Sequence, residues 1–102
     1  MSGSTLAIVG DLDASTTPAL IREIDAVAAD GVRLVLDLSK MEFMDSSGLG
    51  AILYAWTTAA QRNGRLVLVC PLDAHLRRTL NVRGVGTVLT LVETRAEALA
   101  LD

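Results

Sequence analysis

Apolar residues in this chain fall into short runs whose period changes from one run to the next. Residues 5–9 (TLAIV) are a brief apolar run stopped by Gly10, which predicts a strand. Thr17-Pro18 supplies a helix N-cap followed by proline at the first helical position. Leu20, Ile24, Val27 and Ala28 recur at i, i+4, i+7 and i+8, one stripe of a helix. Gly31 stands where a left-handed C-terminal residue belongs. Residues 34–38 (LVLDL) are nearly all apolar, as expected of a parallel strand covered on both faces. A loop over 39–45 leads to a second helix starting near Ser46 and Ser47. There Leu49, Ile52, Leu53 and Trp56 repeat at i, i+3, i+4 and i+7, until Asn63-Gly64 ends it. Residues 66–70 (LVLVC) predict a third strand, broken by Pro71. Asp73 caps a short helix holding Leu76 and Leu80. Gly84 and Gly86 precede a fourth strand over 87–91, and Thr94 with Glu97 forms the capping box of a last helix ending near Leu101.

The order βαβαβαβα predicts an α/β fold with a mostly parallel four-stranded sheet, packed helices and right-handed crossovers. Functional sites in such sheets gather at the carboxyl ends of the strands. Three loops answer that description, at 10–17, 39–47 and 71–73.

The chain has 102 residues, which suits a single domain over 1–102. Its 51% apolar content supports a core, and with aromatics at 3% that core is aliphatic. The same scarcity removes the stacking platform that single-stranded nucleic acid needs. Net charge is −3 with acids and bases interspersed, so no basic stripe offers itself to phosphate backbones. Cys70 is the lone cysteine, which rules out an internal disulfide and suits a reducing compartment. The first five residues lack the basic and apolar regions of a signal peptide, and no apolar run is long enough to span a bilayer. A cytoplasmic protein is expected, with no nucleic-acid partner and no membrane insertion.

The densest chemical signal is Met44-Asp45-Ser46-Ser47-Gly48-Leu49-Gly50. Its predicted setting is a strand, a short loop and a helix N-terminus. Two adjacent hydroxyls thus stand beside unpaired backbone N–H groups and the positive end of the helix dipole. Gly48 and Gly50 keep the first turn free of bulk, which lets another protein approach closely. A plainer role for the same residues is one serine as N-cap and the glycines as helix–sheet packing. The two roles are compatible.

The stretch Leu36-Asp37-Leu38 through Phe43-Met44-Asp45-Ser46-Ser47-Gly48-Leu49-Gly50 resembles the signature of anti-sigma factor antagonists, members of the STAS domain family. Gly10-Asp11-Leu12-Asp13 is similar to the family's Gly-Glu-Leu-Asp turn, with Asp11 in place of the commoner Glu. Gly64, the run 66–70, and Leu80 with Gly84 and Val85 match later landmarks. The resemblance covers nearly the whole chain and implies the STAS fold. It departs in two respects: Asp11 replaces the commoner Glu, and the family's usual short strand before the one at 5–9 is lacking, which leaves a sheet edge that is bare, paired with a partner, or the result of a truncated start. It implies that Ser46, or failing that Ser47, accepts phosphate from an anti-sigma factor that is also a serine kinase of the histidine-kinase-like ATPase type. A PP2C-type phosphatase would reverse the step. It also implies that the unphosphorylated protein binds the anti-sigma factor and frees a bacterial sigma factor. Asp13, Asp45, Ser46, Ser47, Gly48, Leu49 and Gly50 would meet the partner. Asp13 and Asp45 could equally be turn and cap carboxylates.

Other functions find less in the sequence. A hydrolase triad could draw on His75, the single histidine, but no G-x-S-x-G elbow exists and Arg77 and Arg78 flank a solvated face. One His and one Cys do not build a typical zinc site, and no other cofactor is called for. Nucleotide at the Ser46 helix would expect a phosphate loop, which is absent, and Lys40 is the only lysine. Within the fold, a non-switching scaffold in a stress-signalling or lipid-transport complex is the alternative to a phospho-switch.

Overall fold

The computed structural model describes residues 3–71, 77–78 and 89–101. Strands β1 (Gly3–Leu12), β2 (Arg33–Met44), β3 (Arg65–Val69) and β4 (Thr90–Val92) form one sheet in that order. Every neighbouring pair is parallel, as the alternation of strand and helix requires. Helix α1 (Thr17–Val27) joins β1 to β2, α2 (Ser46–Gln61) joins β2 to β3, and α3 (Arg95–Ala100) follows β4. The short helix expected at 73–80 and the start of the fourth strand at 87 fall largely outside the described residues.

Alternation along β2 divides the core between two faces. Leu34, Leu36 and Leu38 join Ile8, Leu12, Leu66 and Leu68 beneath Leu20 and Ile24 of α1 and Leu49 and Ile52 of α2. Val35 lies on the other side with Val67, Val69, Val92 and Ala98, under α3.

Several boundaries differ from the sequence-based expectation. The apolar run at 34–38 is only the first half of β2, which continues through the predicted loop to Met44. Beyond Asp37 the strand has lost β3 and pairs with β1 alone. Ser39, Lys40, Glu42 and Phe43 are exposed there, so strand no longer means apolar run. Helix α1 is entered through Thr16 rather than Thr17 and ends at Val27. Gly31 therefore is not its C-terminal left-handed residue. It takes its positive φ of 73° in the turn before β2, where its N–H donates to the Arg62 carbonyl. In α2 the core face is Gly48, Leu49, Ala51, Ile52, Ala55, Thr58 and Ala59, and Trp56 is 41% exposed. Small side chains bring this helix close to the sheet and leave the indole outside. Asn63 closes α2 with a φ of 58°, a conformation asparagine tolerates.

Two charged side chains fasten α3. The buried Arg33 donates from Nη1 to the carbonyls of Ala98 and Leu99, both at 3.2 Å, capping the helix's C-terminal end. Buried Asp37 accepts from the Ser39 hydroxyl at 2.6 Å and from its N–H at 2.9 Å, and pairs with Arg95. Burial works against the Asp37 carboxylate, but the Ser39 bonds and Arg95 outweigh it and hold its pKa below the usual 3.8. Because the folded value is the lower one, this group stabilises the fold above the ordinary carboxylate range. That contribution is lost as pH falls through the folded value. Asp37→Asn is expected to cost about 1–2 kcal/mol at neutral pH. The gap to the parent should close in urea titrations carried out at successively lower pH. A gap that stays constant into strong acid would show that the charge on Asp37 does not matter.

Candidate functional site

The site forms where β1 and β2 end together. Leu12 pairs with Met44 as the last residues of their strands, and the Asp45 N–H donates to the Leu12 carbonyl at 3.3 Å. The chain then turns directly into α2. The expectation that Ser46 or Ser47 caps this helix is corrected: the N-cap is Asp45, in the role of cap carboxylate that the sequence also allowed it. Its Oδ1 accepts from the N–H of Ser47 at 2.8 Å and of Gly48 at 3.1 Å. A carboxylate here satisfies two of the free amides and sits favourably at the positive end of the helix dipole.

This substitution of roles frees both serines. Ser46 is the first residue of α2 and exposed, Ser47 is half-buried, and neither hydroxyl has a hydrogen-bond partner among the described residues. Leu49 is buried and belongs to the core, so of the hydrophobic positions in the motif it builds the helix–sheet contact.

The two glycines have different reasons to be there. A Cβ on Gly48 would stand 2.6 Å from the Leu12 carbonyl oxygen and 2.6 Å from Met44 Cγ. That glycine permits the helix to lie across the strand ends. A Cβ on Gly50 would meet nothing within 4 Å, and Gly50 is exposed. The fold has no steric need of it, although glycine within a helix costs about 1 kcal/mol relative to alanine.

The first loop is compact. Asp13 accepts from the Ser15 hydroxyl at 2.6 Å and from the N–H groups of Ser15 at 2.9 Å and Thr16 at 3.3 Å. These bonds, the Ser15 hydroxyl first, lower its pKa. Asp13 is thus the organiser of its own turn, one residue past the Leu12 that Asp45 and Gly48 touch. The expected loop at 10–17 shrinks to 13–16 because Gly10 to Leu12 remain in β1. Pro71 is described, whereas Asp73, and with it most of the third candidate loop, lies outside the described residues, as does His75. Cys70 is fully buried and burial pushes its thiol pKa up, the opposite of what a nucleophile needs. Among the described residues no group of three or more His, Cys, Asp and Glu could hold a metal ion, and no helix is long and apolar enough to cross a membrane.

This arrangement presents two adjacent hydroxyls without hydrogen-bond partners among the described residues, the outer one exposed, at the start of a helix capped by a carboxylate. A family model described as Mlab, STAS domain, matches residues 2–93, and the chain belongs to the STAS domain family. The chain is 29% identical over 91 residues to an anti-sigma-B factor antagonist of Listeria monocytogenes, covering 88% of this chain and 79% of that protein. The crystal structure of an anti-sigma factor antagonist from Mycobacterium paratuberculosis superposes with a TM-score of 0.76 at 31% identity, covering 96% of this chain and 83% of the other. A sulfate transporter family protein from Wolinella succinogenes has the same fold, with a TM-score of 0.83 at 20% identity over 96% of this chain and 82% of that one. The fold alone therefore does not select a function.

Proposed function

We propose that this protein is an anti-sigma factor antagonist whose binding is switched by phosphorylation of Ser46. The carrying observation is the exposed, unpartnered Ser46 hydroxyl at the start of α2, left free because Asp45 does the capping. Relatives named as anti-sigma factor antagonists support the reading. In it, the unphosphorylated chain binds an anti-sigma factor of the histidine-kinase-like ATPase type through the Asp13 turn and Asp45, Ser46, Ser47 and Gly50, while the buried Gly48 and Leu49, expected to meet the partner, instead hold that surface against the sheet. The bound sigma factor is released. The kinase activity of that partner transfers phosphate to Ser46 and ends the contact, and a PP2C-type phosphatase restores it. Ser47, half-buried, is the secondary acceptor. The reading makes the protein a binding module and not an enzyme, acting in the bacterial cytoplasm.

Intact mass after incubation with the cognate kinase and ATP tests this. One phosphate on the parent and none on Ser46→Ala is the expected result. One phosphate on Ser46→Ala would move the acceptor to Ser47. Tight binding to a partner with no phosphate added by any cognate kinase would leave a non-switching scaffold.

A further inference from the structure

The chain has three aromatic residues, and none is in its core: Phe43 is 54% exposed, Trp56 41% and Tyr54 37%. An exposed apolar side chain is by itself ordinary. Tyr54 ties α2 to α1, donating its hydroxyl to Asp25 at 2.6 Å. Phe43 packs with neither cluster of the core.

The backbone is built to keep Phe43 out. Gly10 pairs with Met41 and Asp11 with Phe43, so β2 carries one extra residue here, Glu42. Met41 and Met44, three positions apart, both pack toward the helices, while Glu42 and Phe43 between them are exposed. In unbroken alternation from Met41, Phe43 would point to the helices and Met44 to solvent. The bulge reverses that assignment, and bulges near functional sites re-aim side chains in this way. A flexible methionine takes the place in the core, and the ring is turned to water.

Phe43 stands three residues before Ser46, so their Cα atoms are at most about 11 Å apart. A standard protein interface takes about 800 Å² from each partner, a patch about 30 Å across. An interface centred on Ser46 therefore extends over the position of Phe43. Asp11, opposite Phe43 on β1, and Glu42, its chain neighbour, are exposed and give the ring a polar surround. An aromatic side chain within a polar rim is the usual composition of an energetic centre in an interface.

We propose that Phe43 is the apolar anchor of the contact with the anti-sigma factor, entering an apolar recess of that partner beside the place where Ser46 docks. The inference rests on the function proposed above and names the side chain that holds the complex together. Anchor and phosphoacceptor are adjacent but separate. The ring supplies affinity, and phosphate on Ser46 opposes it.

Phe43→Thr removes the ring and keeps a β-branched residue suited to a strand. Calorimetric titration with the anti-sigma factor should show its dissociation constant raised at least about tenfold. Phe43→Leu keeps an apolar side chain and should lose about threefold. Melting curves of both variants should stay close to the parent's, because more than half of the ring is already in water. If Phe43→Thr fails to fold, Phe43→Leu carries the comparison. Parent-like affinity in the folded variants overturns the inference and leaves the switch standing, provided the parent is bound and gains one phosphate by intact mass. A parent that is neither bound nor phosphorylated overturns the switch reading, and this inference with it. A parent dimer in sedimentation equilibrium that Phe43→Thr abolishes, with partner affinity unchanged, assigns the ring to a second copy and also overturns it.

Discussion

Phosphate on Ser46 is expected to weaken binding to the anti-sigma partner by at least about a hundredfold while leaving the fold intact. The hundredfold loss corresponds to about 2.7 kcal/mol. The modification adds about −1.5 to −2 charges and three acceptor oxygens. Within this chain the added charge is tolerable. It sits at the positive end of the α2 dipole, worth about 0.3–1 kcal/mol, with Asp45 opposing it by like-charge repulsion. In a closely packed interface the same dianion is desolvated, which costs several kcal/mol unless a cation meets it. The block is therefore local. Ser46→Asp should weaken binding in the same direction, though less than the doubly charged phosphate, with a thermal midpoint at or slightly above the parent's. Ser46→Ala should bind without regulation. Calorimetric titration of the partner into each variant, with a melting curve on each, separates the cases. A lost midpoint in Ser46→Asp accompanying the lost affinity would mean that the charge unfolds the loop and does not block a surface.

Gly48→Ala should be the most damaging single methyl group in the site, at about 3 kcal/mol. The added carbon would stand 2.6 Å from the Leu12 carbonyl oxygen. That oxygen cannot retreat cheaply, because it accepts the Asp45 N–H that ties the ends of β1 and β2 together. Met44 Cγ, also at 2.6 Å, can move, but into the same crowded corner. For a domain of this size the thermal midpoint should fall by about 12–24 °C. Gly50→Ala is the matched control two residues on. Its Cβ meets nothing, so the helix should gain up to about 1 kcal/mol. Opposite signs for the same substitution, read by melting, are the expected outcome. Similar melting curves for the two variants would mean that α2 does not lie across the strand ends as described.

The motif Asp45-Ser46-Ser47-Gly48-Leu49-Gly50 is legible because its chemistry is local. A hydroxyl at a helix start, glycines beside it and an apolar residue at the first turn all fall within a few positions. What is not legible is which residue does which task. Serine and aspartate are about equally good N-caps, and only the backbone entry from β2 places the Asp45 carboxylate under the amides of Ser47 and Gly48. Two glycines look alike in a sequence. Gly48 is told from Gly50 by Leu12, a residue distant in the chain. Trp56 fits the apolar period of α2, yet alanines won the core face because a helix packed close to a sheet has no room for an indole.

By itself the sequence determined the α/β order, the parallel strands at 34–38 and 66–70, and the capped start of α3, where Thr94 accepts from the Glu97 N–H. These follow from hydrophobic period and from capping within one turn, which need no distant partner. Tertiary structure decided how far β1 and β2 run, because Gly10 to Leu12 and Lys40 to Met44, which show no strand-like apolar run, are held as strands by pairing with each other. It also decided that Arg33 and Asp37 would be buried to fasten α3. Such contacts join residues far apart in the chain, and a pattern read along one segment carries no information about them.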